Sequence, residues 1–242
     1  YVIKNLAAQG KGPILAAVRD PRDVYACPGA EYIKCDITDP AEVAALAART
    51  ADVPLTVFYF AACHNVDYLF SHPEEGRAVN IDALGRFLDA FSNIETLFFA
   101  STDCVYGENP PQLAKFKETD VCRPVNVYGL QKLEAEGIVQ ARGFTAVRFP
   151  YMLGPSLLRK RHFYDTVAEK LRAGEPVEMI DGMARSALSY QTAAALLVAL
   201  AGAEKTALPG VFNLCADEAY TKYELGLRVA ARVGADASLV KK

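Results

Sequence analysis

Two periods of apolar residues alternate along the chain. The runs 14–18, 31–35, 55–60, 96–100 and 145–149 are short and rich in β-branched and aromatic residues, the signature of strands. Between them, 41–49, 74–91 and 127–142 carry apolar residues at spacings of three and four, which predicts helices. Strands as continuously apolar as LTVFYF at 55–60 predict an α/β fold with a doubly wound parallel sheet, covered on both faces. After Pro150 the pattern changes to a helix near 162–173, a strand at 176–180, a helix at 191–201, a strand at 210–214 and a closing helix. This predicts a sheet domain over 1–150 and a smaller lobe over 151–242.

The opening residues YVIKNLAAQG read as a helix stopped by Gly10. A dinucleotide fold begins with a strand and a glycine-rich turn ahead of such a helix. That strand and phosphate loop are therefore expected upstream of Tyr1, and further residues are expected after Lys242.

Composition narrows the class. With 52% hydrophobic and 23% charged residues, the chain is neither disordered nor collagen-like nor a coiled coil. Its 26 basic and 29 acidic side chains give −3 without a block of like charge, so no nucleic-acid partner is expected. The apolar stretch 193–201 is about half of what a bilayer needs, so no membrane span is expected. Six cysteines without a CxxC pair and three scattered histidines predict no metal site. Buried free thiols in a reducing, cytoplasmic compartment are the plainer reading.

In an open parallel sheet, ligands bind outside the carboxyl ends of the strands. The residues placed there are Arg19-Asp20, Asp36-Ile37, Ala61-Ala62, Ser101-Thr102-Asp103 and Phe149-Pro150-Tyr151. Tyr128 and Lys132 stand four apart, on one face of the helix predicted over 127–142. A phenol is a poor proton donor or acceptor at neutral pH, and a cation beside it lowers its pKa. Alone the pair is a weak signal, equally consistent with a surface lysine one turn from a half-buried tyrosine. A hydroxyl from Ser101 or Thr102 could bond a carbonyl oxygen, and capping of a turn is the competing role.

Three segments taken together resemble the extended short-chain dehydrogenase/reductase family, in its dTDP-4-dehydrorhamnose reductase-like branch. They are FAACHNVDYLFSHPEEGRAVN (60–80), ASTDCVYG (100–107) and RPVNVYGLQKLEAE (123–136), and the resemblance extends over nearly the whole chain. It implies a Rossmann-like fold binding NADP, or NAD, and a nucleotide-sugar substrate, and it leaves room for a homodimer. Thr102, Tyr128 and Lys132 would take the hydroxyl, acid/base and lysine roles, with Lys132 also on the nicotinamide ribose. Asp36, Ile37, Ala61, Ala62, Ser101 and Pro150 would line the cofactor, and Asp103, Cys104, Tyr151 and Arg185 the substrate. Asn80 matches a supporting asparagine, or is a plain helix donor. Cys104 stands where related dehydratases carry a glutamate, so water elimination is not supported.

Counting from Gly12, Arg19 falls where NAD-specific relatives place an acidic residue, with Arg22 close by. Guanidinium forks suit a 2′-phosphate, which predicts a preference for NADP; otherwise Asp20 takes the ribose. The basic run Arg159-Lys160-Arg161 reads as a solvated face that could meet a pyrophosphate. The resemblance implies a reductase of a nucleotide-linked 4-keto-6-deoxy sugar. An epimerase, or a non-catalytic NADP-binding regulatory subunit, is the alternative.

Overall fold

The computed structural model describes residues 1–24, 26–108, 115–159, 161–203 and 208–242. Strand β1 (Ile14–Val18) pairs in parallel with β2 (Ala30–Lys34). A second parallel ladder runs in the order β3 (Leu55–Tyr59), β4 (Ile94–Thr102), β5 (Thr145–Phe149) and β9 (Val211–Asn213).

Alternation along β4 explains why its sequence is apolar throughout. Leu97 and Phe99 point to one face, where they pack with Val43 and Leu46 of α2 (Pro40–Thr50), Leu84, Phe87 and Leu88 of α5 (Ala83–Ala90), and Ala135 and Val139 of α6 (Val127–Ala141). Leu15 and Ile33 from the β1–β2 pair join this core. Phe98 points the other way with Val147, onto Ala193 and Leu197 of α8 (Tyr190–Leu200). Each such side chain contributes about 1.5–3 kcal/mol on burial.

Helix starts follow local chemistry. Asp39 accepts from the Ala41 and Glu42 amides ahead of α2, with Pro40 in the first turn. Asn126 accepts from the Gly129 amide ahead of α6. Helix α1 (Val2–Ala8) ends before Gly10, whose φ of 65° is the left-handed conformation that glycine tolerates.

In the C-terminal part, β8 (Arg185–Ser189) lies between β6 (Tyr151–Leu153) and β10 (Ala219–Tyr220). Strands β7 (Val177–Glu178) and β11 (Val240–Lys241) pair beneath α7 (Phe163–Arg172) and α9 (Lys222–Val233), closing a separate small core around Val167, Leu171, Met179 and Val229.

The structure differs from the sequence pattern in several places. The stretch read as one helix over 74–91 is α4 (Pro73–Arg77), a π-turn over Ala78–Asp82, and α5. One extra residue per turn is invisible to a three-and-four pattern, and it turns Asn80 inward. Beyond residue 150, β9 lies along the edge of β5 and α8 covers one sheet face, so this part of the chain is set on the sheet. Residues 185–189 form a strand that the sequence pattern did not mark. Of the six cysteines, all free, Cys35 alone is buried and Cys215 is exposed, so the expectation of buried thiols is corrected. Among the described residues, no helix is long and apolar enough to cross a membrane.

Candidate active site

Strand β4 delivers Thr102 to the carboxyl edge of the sheet, buried to 7% exposure. Its hydroxyl accepts the Cys104 amide at 3.2 Å and so also caps the turn that follows, which makes the capping role real alongside any chemistry. Helix α6 approaches this turn closely because position 129 is glycine: a Cβ there would lie 2.6 Å from the Cys104 carbonyl oxygen. Gly129→Ala must push the first turn of α6, and Tyr128 with it, away from Thr102. The expected result is a loss of about 1–3 kcal/mol from overpacking, with reduced turnover. Thermal unfolding and steady-state kinetics check it; a variant matching the native protein in both would show that the close approach is unimportant.

Lys132 is almost fully buried, at 2% exposure. Its Nζ lies 4.2 Å from the Phe99 ring centre and 6.0 Å from that of Tyr128. Burial pulls the ammonium down to about 7, against the opposing pull of Glu136 one turn along the helix. The Tyr128 phenol is pushed up, first by burial and then by Cys104, Asp103 and Cys63. This corrects the expectation that Lys132 lowers it: at this separation burial wins, and the phenol keeps its proton through the neutral range. A protonated phenol is the form that can give a proton to a developing alkoxide.

Asn80 ties the site together from below, where it is 1% exposed. Its side chain accepts the Cys63 amide at 2.8 Å and donates to the Cys63 carbonyl at 3.0 Å and to Gln131 at 2.9 Å. It thus links the segment after β3 to α6, a supporting role rather than a plain helix donor.

The cofactor candidates occupy the strand ends. Arg19 is exposed directly after β1. Asp36, after β2, accepts from the Thr38 amide and hydroxyl at 2.9 and 2.7 Å. Those bonds, and to a lesser degree Arg19, hold its carboxyl below the usual range. Ile37 and Ala61 pack against the main core, Ala62 is half-buried, and Pro150 is buried between β5 and β6. Two candidates are engaged elsewhere. The Arg22 guanidinium grips Asp20, whose carboxyl it holds to about 2, so both are committed to an exposed ion pair. The Ser101 hydroxyl donates to Glu136 inside the core and does not face the sheet edge.

The four substrate candidates meet at the end of β4. Arg185 of β8 forks onto Asp103, with Nε 3.2 Å from Oδ2, and its Nη2 lies 3.6 Å from the Cys104 Sγ. The Tyr151 ring centre lies 6.0 Å from the Arg185 guanidinium. Arg185 is therefore bound to a carboxylate beside Thr102. Of the basic run, Arg161 pairs with Glu169, and Lys160 lies outside the described residues.

Sequence reading missed the polar core beneath the site. Glu136 and Arg148, 1% and 5% exposed, form a two-pronged ion pair at 2.9 and 2.7 Å. Arg148 also donates to the Tyr106 hydroxyl at 2.8 Å, and that hydroxyl donates to Asn213 at 2.8 Å. The signal was there: an arginine inside the apolar run TAVRF, and a glutamate four residues after Lys132. Among the described residues, no cluster of His, Cys, Asp and Glu side chains could hold a metal ion.

A parallel α/β sheet with these residues along its carboxyl edge defines a Rossmann-like chain. The chain belongs to the RmlD substrate binding domain family, whose profile matches residues 8–242. It is 26% identical over 205 residues to methionine adenosyltransferase 2 subunit beta of Danio rerio, covering 82% of this chain and 61% of that one. It thus spans less than two thirds of that relative's length. It is 27% identical to "Probable low-salt glycan biosynthesis reductase Agl14" of Haloferax volcanii, over 99% of this chain and 78% of that one. In structure it is similar to the UDP-glucose 4-epimerase of Thermus thermophilus in complex with NAD, with a TM-score of 0.84 and 23% identity over 97% of this chain and 79% of that one.

Proposed function

We propose that the protein is an NADP-dependent reductase of a nucleotide-linked 4-keto-6-deoxy sugar. What supports this reading is the close packing of the turn that follows the buried Thr102 against the start of α6, the helix that carries Tyr128 and the buried Lys132. The donor set there fits a nicotinamide dinucleotide: the exposed Arg19 guanidinium, the Asp36 carboxylate for the adenosine half, and Tyr128 with Lys132 at the nicotinamide end. When bound, that group supplies a hydride to the carbonyl carbon.

The chain's own residues manage the charge that results. The carbonyl oxygen becomes negative as its carbon is reduced. The Thr102 hydroxyl donates a hydrogen bond to that oxygen, and the Tyr128 O–H delivers the proton. Lys132, as an ammonium, steadies the phenolate left behind. Burial keeps water from competing at that oxygen. In this reading Asp103 and Arg185 would face the sugar and its phosphates, and substrate anions would compete with Asp103 for Arg185.

Arg19 sets the cofactor preference. NADPH should bind more tightly than NADH, and Arg19→Ala should abolish the difference; fluorescence titration of both cofactors checks it, and equal affinity in the native protein contradicts it. Cys104 has no step in this mechanism. Cys104→Ser should keep most turnover, whereas a loss beyond about a hundredfold would assign it an acid–base role.

The test of the reading is NADPH oxidation with dTDP-linked 4-keto-6-deoxyglucose, against a panel of other keto-sugar nucleotides. Likeness to methionine adenosyltransferase 2 subunit beta favours a second reading, a dinucleotide-binding regulatory subunit. That reading predicts NADPH binding, no reduction of any keto sugar, and stoichiometric capture of a partner enzyme.

A further inference from the structure

A short segment of the C-terminal part joins the ends of two distant strands. Strand β6 begins just past the carboxyl end of β5 and finishes at Leu153. From there the chain turns at Gly154 and runs through Pro155 and Leu158 to Arg159, where it meets the connection that follows β1. Val24 and Leu158 form an antiparallel bridge, and the Arg159 amide donates to the Asp23 carbonyl at 3.0 Å. Residues 154–159 therefore reach from the carboxyl end of one parallel ladder to that of the other.

The segment is tied at each end and in its middle. At its root Gly154 has a φ of 138°, which favours glycine, and a Cβ there would stand 3.3 Å from the Tyr190 ring. Tyr190 stacks on Tyr1 with ring centres 5.7 Å apart, and the Tyr1 hydroxyl donates to the Pro155 carbonyl at 2.6 Å. In the middle, the Ser156 amide donates to Asp165 Oδ1 at 2.9 Å, and the Leu158 amide to the Ser156 hydroxyl at 3.0 Å. Asp165 belongs to α7, so this tie moves with the segment's own lobe. The contacts with Asp23 and Val24 are the ones that cross to β1. Pro155, Leu158 and Arg159 are exposed, so little apolar burial holds the far end down.

Ligands of such sheets lie outside the carboxyl ends of the strands. Arg19 and Asp36 stand at the ends of β1 and β2, and Tyr128 stands beyond the end of β4. A dinucleotide reaching from the first two to the third passes the line that 154–159 spans. We propose that 154–159 is a strap that closes over the bound dinucleotide and must let go of Asp23 and Val24 for the dinucleotide to enter or leave. Gly154 is its hinge. Release of the spent cofactor then sets the ceiling on turnover. The strap rests on the dinucleotide reading above, and the ceiling on turnover rests on the reductase reading as well.

A reversible lock tests the strap through binding rates, without any turnover. The Arg159-to-Asp23 bond makes Val24 and Leu158 a facing pair with Cα atoms about 4.5 Å apart, a spacing that a disulfide accepts. The variant Val24→Cys/Leu158→Cys is made with Cys27→Ser, which removes the thiol nearest in sequence. Bound NADPH is chased with excess NADP, and the loss of nicotinamide fluorescence gives its release rate. With the disulfide closed after loading, release should slow by about tenfold or more. With it closed before loading, association should slow too, and dithiothreitol should restore the rates of the Cys27→Ser parent. Tyr1→Phe, which removes one tie and keeps the ring, should release NADPH about two- to tenfold faster.

Release that is no slower with the disulfide closed overturns the proposal, and so do thiols at 24 and 158 that fail to join in the folded variant. Should the cysteine variant not fold, Tyr1→Phe carries the test, and a release rate equal to the native one overturns the strap. A native protein that binds neither NADPH nor NADH removes the dinucleotide reading and the strap together. In the reductase assay, closing the disulfide should lower kcat by the same factor as the release rate. Slowed release in a protein that reduces no keto sugar leaves the strap in place and removes the reductase reading alone.

Discussion

Tyr128→Phe is expected to lose about 10²- to 10⁴-fold in turnover while NADPH still binds. The substitution removes one oxygen, the atom that gives its proton to the reduced carbonyl, and leaves the ring in its place beside Lys132. Lys132, Asp36 and Arg19, the other residues that would hold the cofactor, are untouched, so most of the NADPH affinity should be preserved. The native phenol is protonated throughout the neutral range because burial raises it. Reduction should therefore show no loss on the alkaline side from Tyr128 itself. The alkaline fall should instead follow Lys132, whose ammonium is pulled down to about 7 before any ligand adds its charge. The sign is that of a depressed base: the charged form is present below the midpoint and lost as pH rises through it. Steady-state kinetics with parallel binding titrations check both statements. Unchanged reduction by Tyr128→Phe would remove the proposed proton donor.

Arg148→Met should be the most destabilising of the single changes considered. It leaves the Glu136 carboxylate, 1% exposed, with the Ser101 hydroxyl as its remaining bond. Breaking a buried pair from one side costs about 3–5 kcal/mol. For a chain of this size that is about 6–20 °C in the midpoint of thermal unfolding. The deficit should shrink as pH falls, because an orphaned buried carboxyl is raised above its unfolded value and is tolerated once protonated. Glu136→Gln/Arg148→Met should regain more than half of the loss, since both charges leave together. Scanning calorimetry at two pH values checks this. A midpoint for Arg148→Met within about 2 °C of the native one would show that the pair carries little weight.

Much of this was legible in the sequence because it depends on periodicity. The apolar runs at 14–18 and 145–149 are β1 and β5 residue for residue, and 127–142 differs from α6 by one residue at its end. Tyr128, Lys132 and Thr102 could be placed because strand ends and helix faces are set by spacing of two and four. What escaped depends on contacts between distant segments. Nothing near Asn80 in sequence says that its amide will meet Cys63 and Gln131, and a π-turn has the same composition as a helix. Arg22 looked free for a phosphate, but Asp20 is two residues away and reaches it first. Ser101 and Thr102 are neighbours on one strand, and alternation sends one hydroxyl into the core and the other to the edge. The β8 strand carries Arg185 to Asp103 across 82 positions, a pairing no local pattern contains.

In the proposed reaction this chain's sheet edge directs a hydride onto a sugar carbonyl and Tyr128 completes the alcohol. Reduction of dTDP-linked 4-keto-6-deoxyglucose with NADPH carrying deuterium at C4 of the nicotinamide tests it directly. One deuterium is expected at the former carbonyl carbon of the product for each NADPH consumed, and its disappearance in Tyr128→Phe. A product without deuterium, or bound NADPH that is never consumed by any keto-sugar nucleotide, would contradict it.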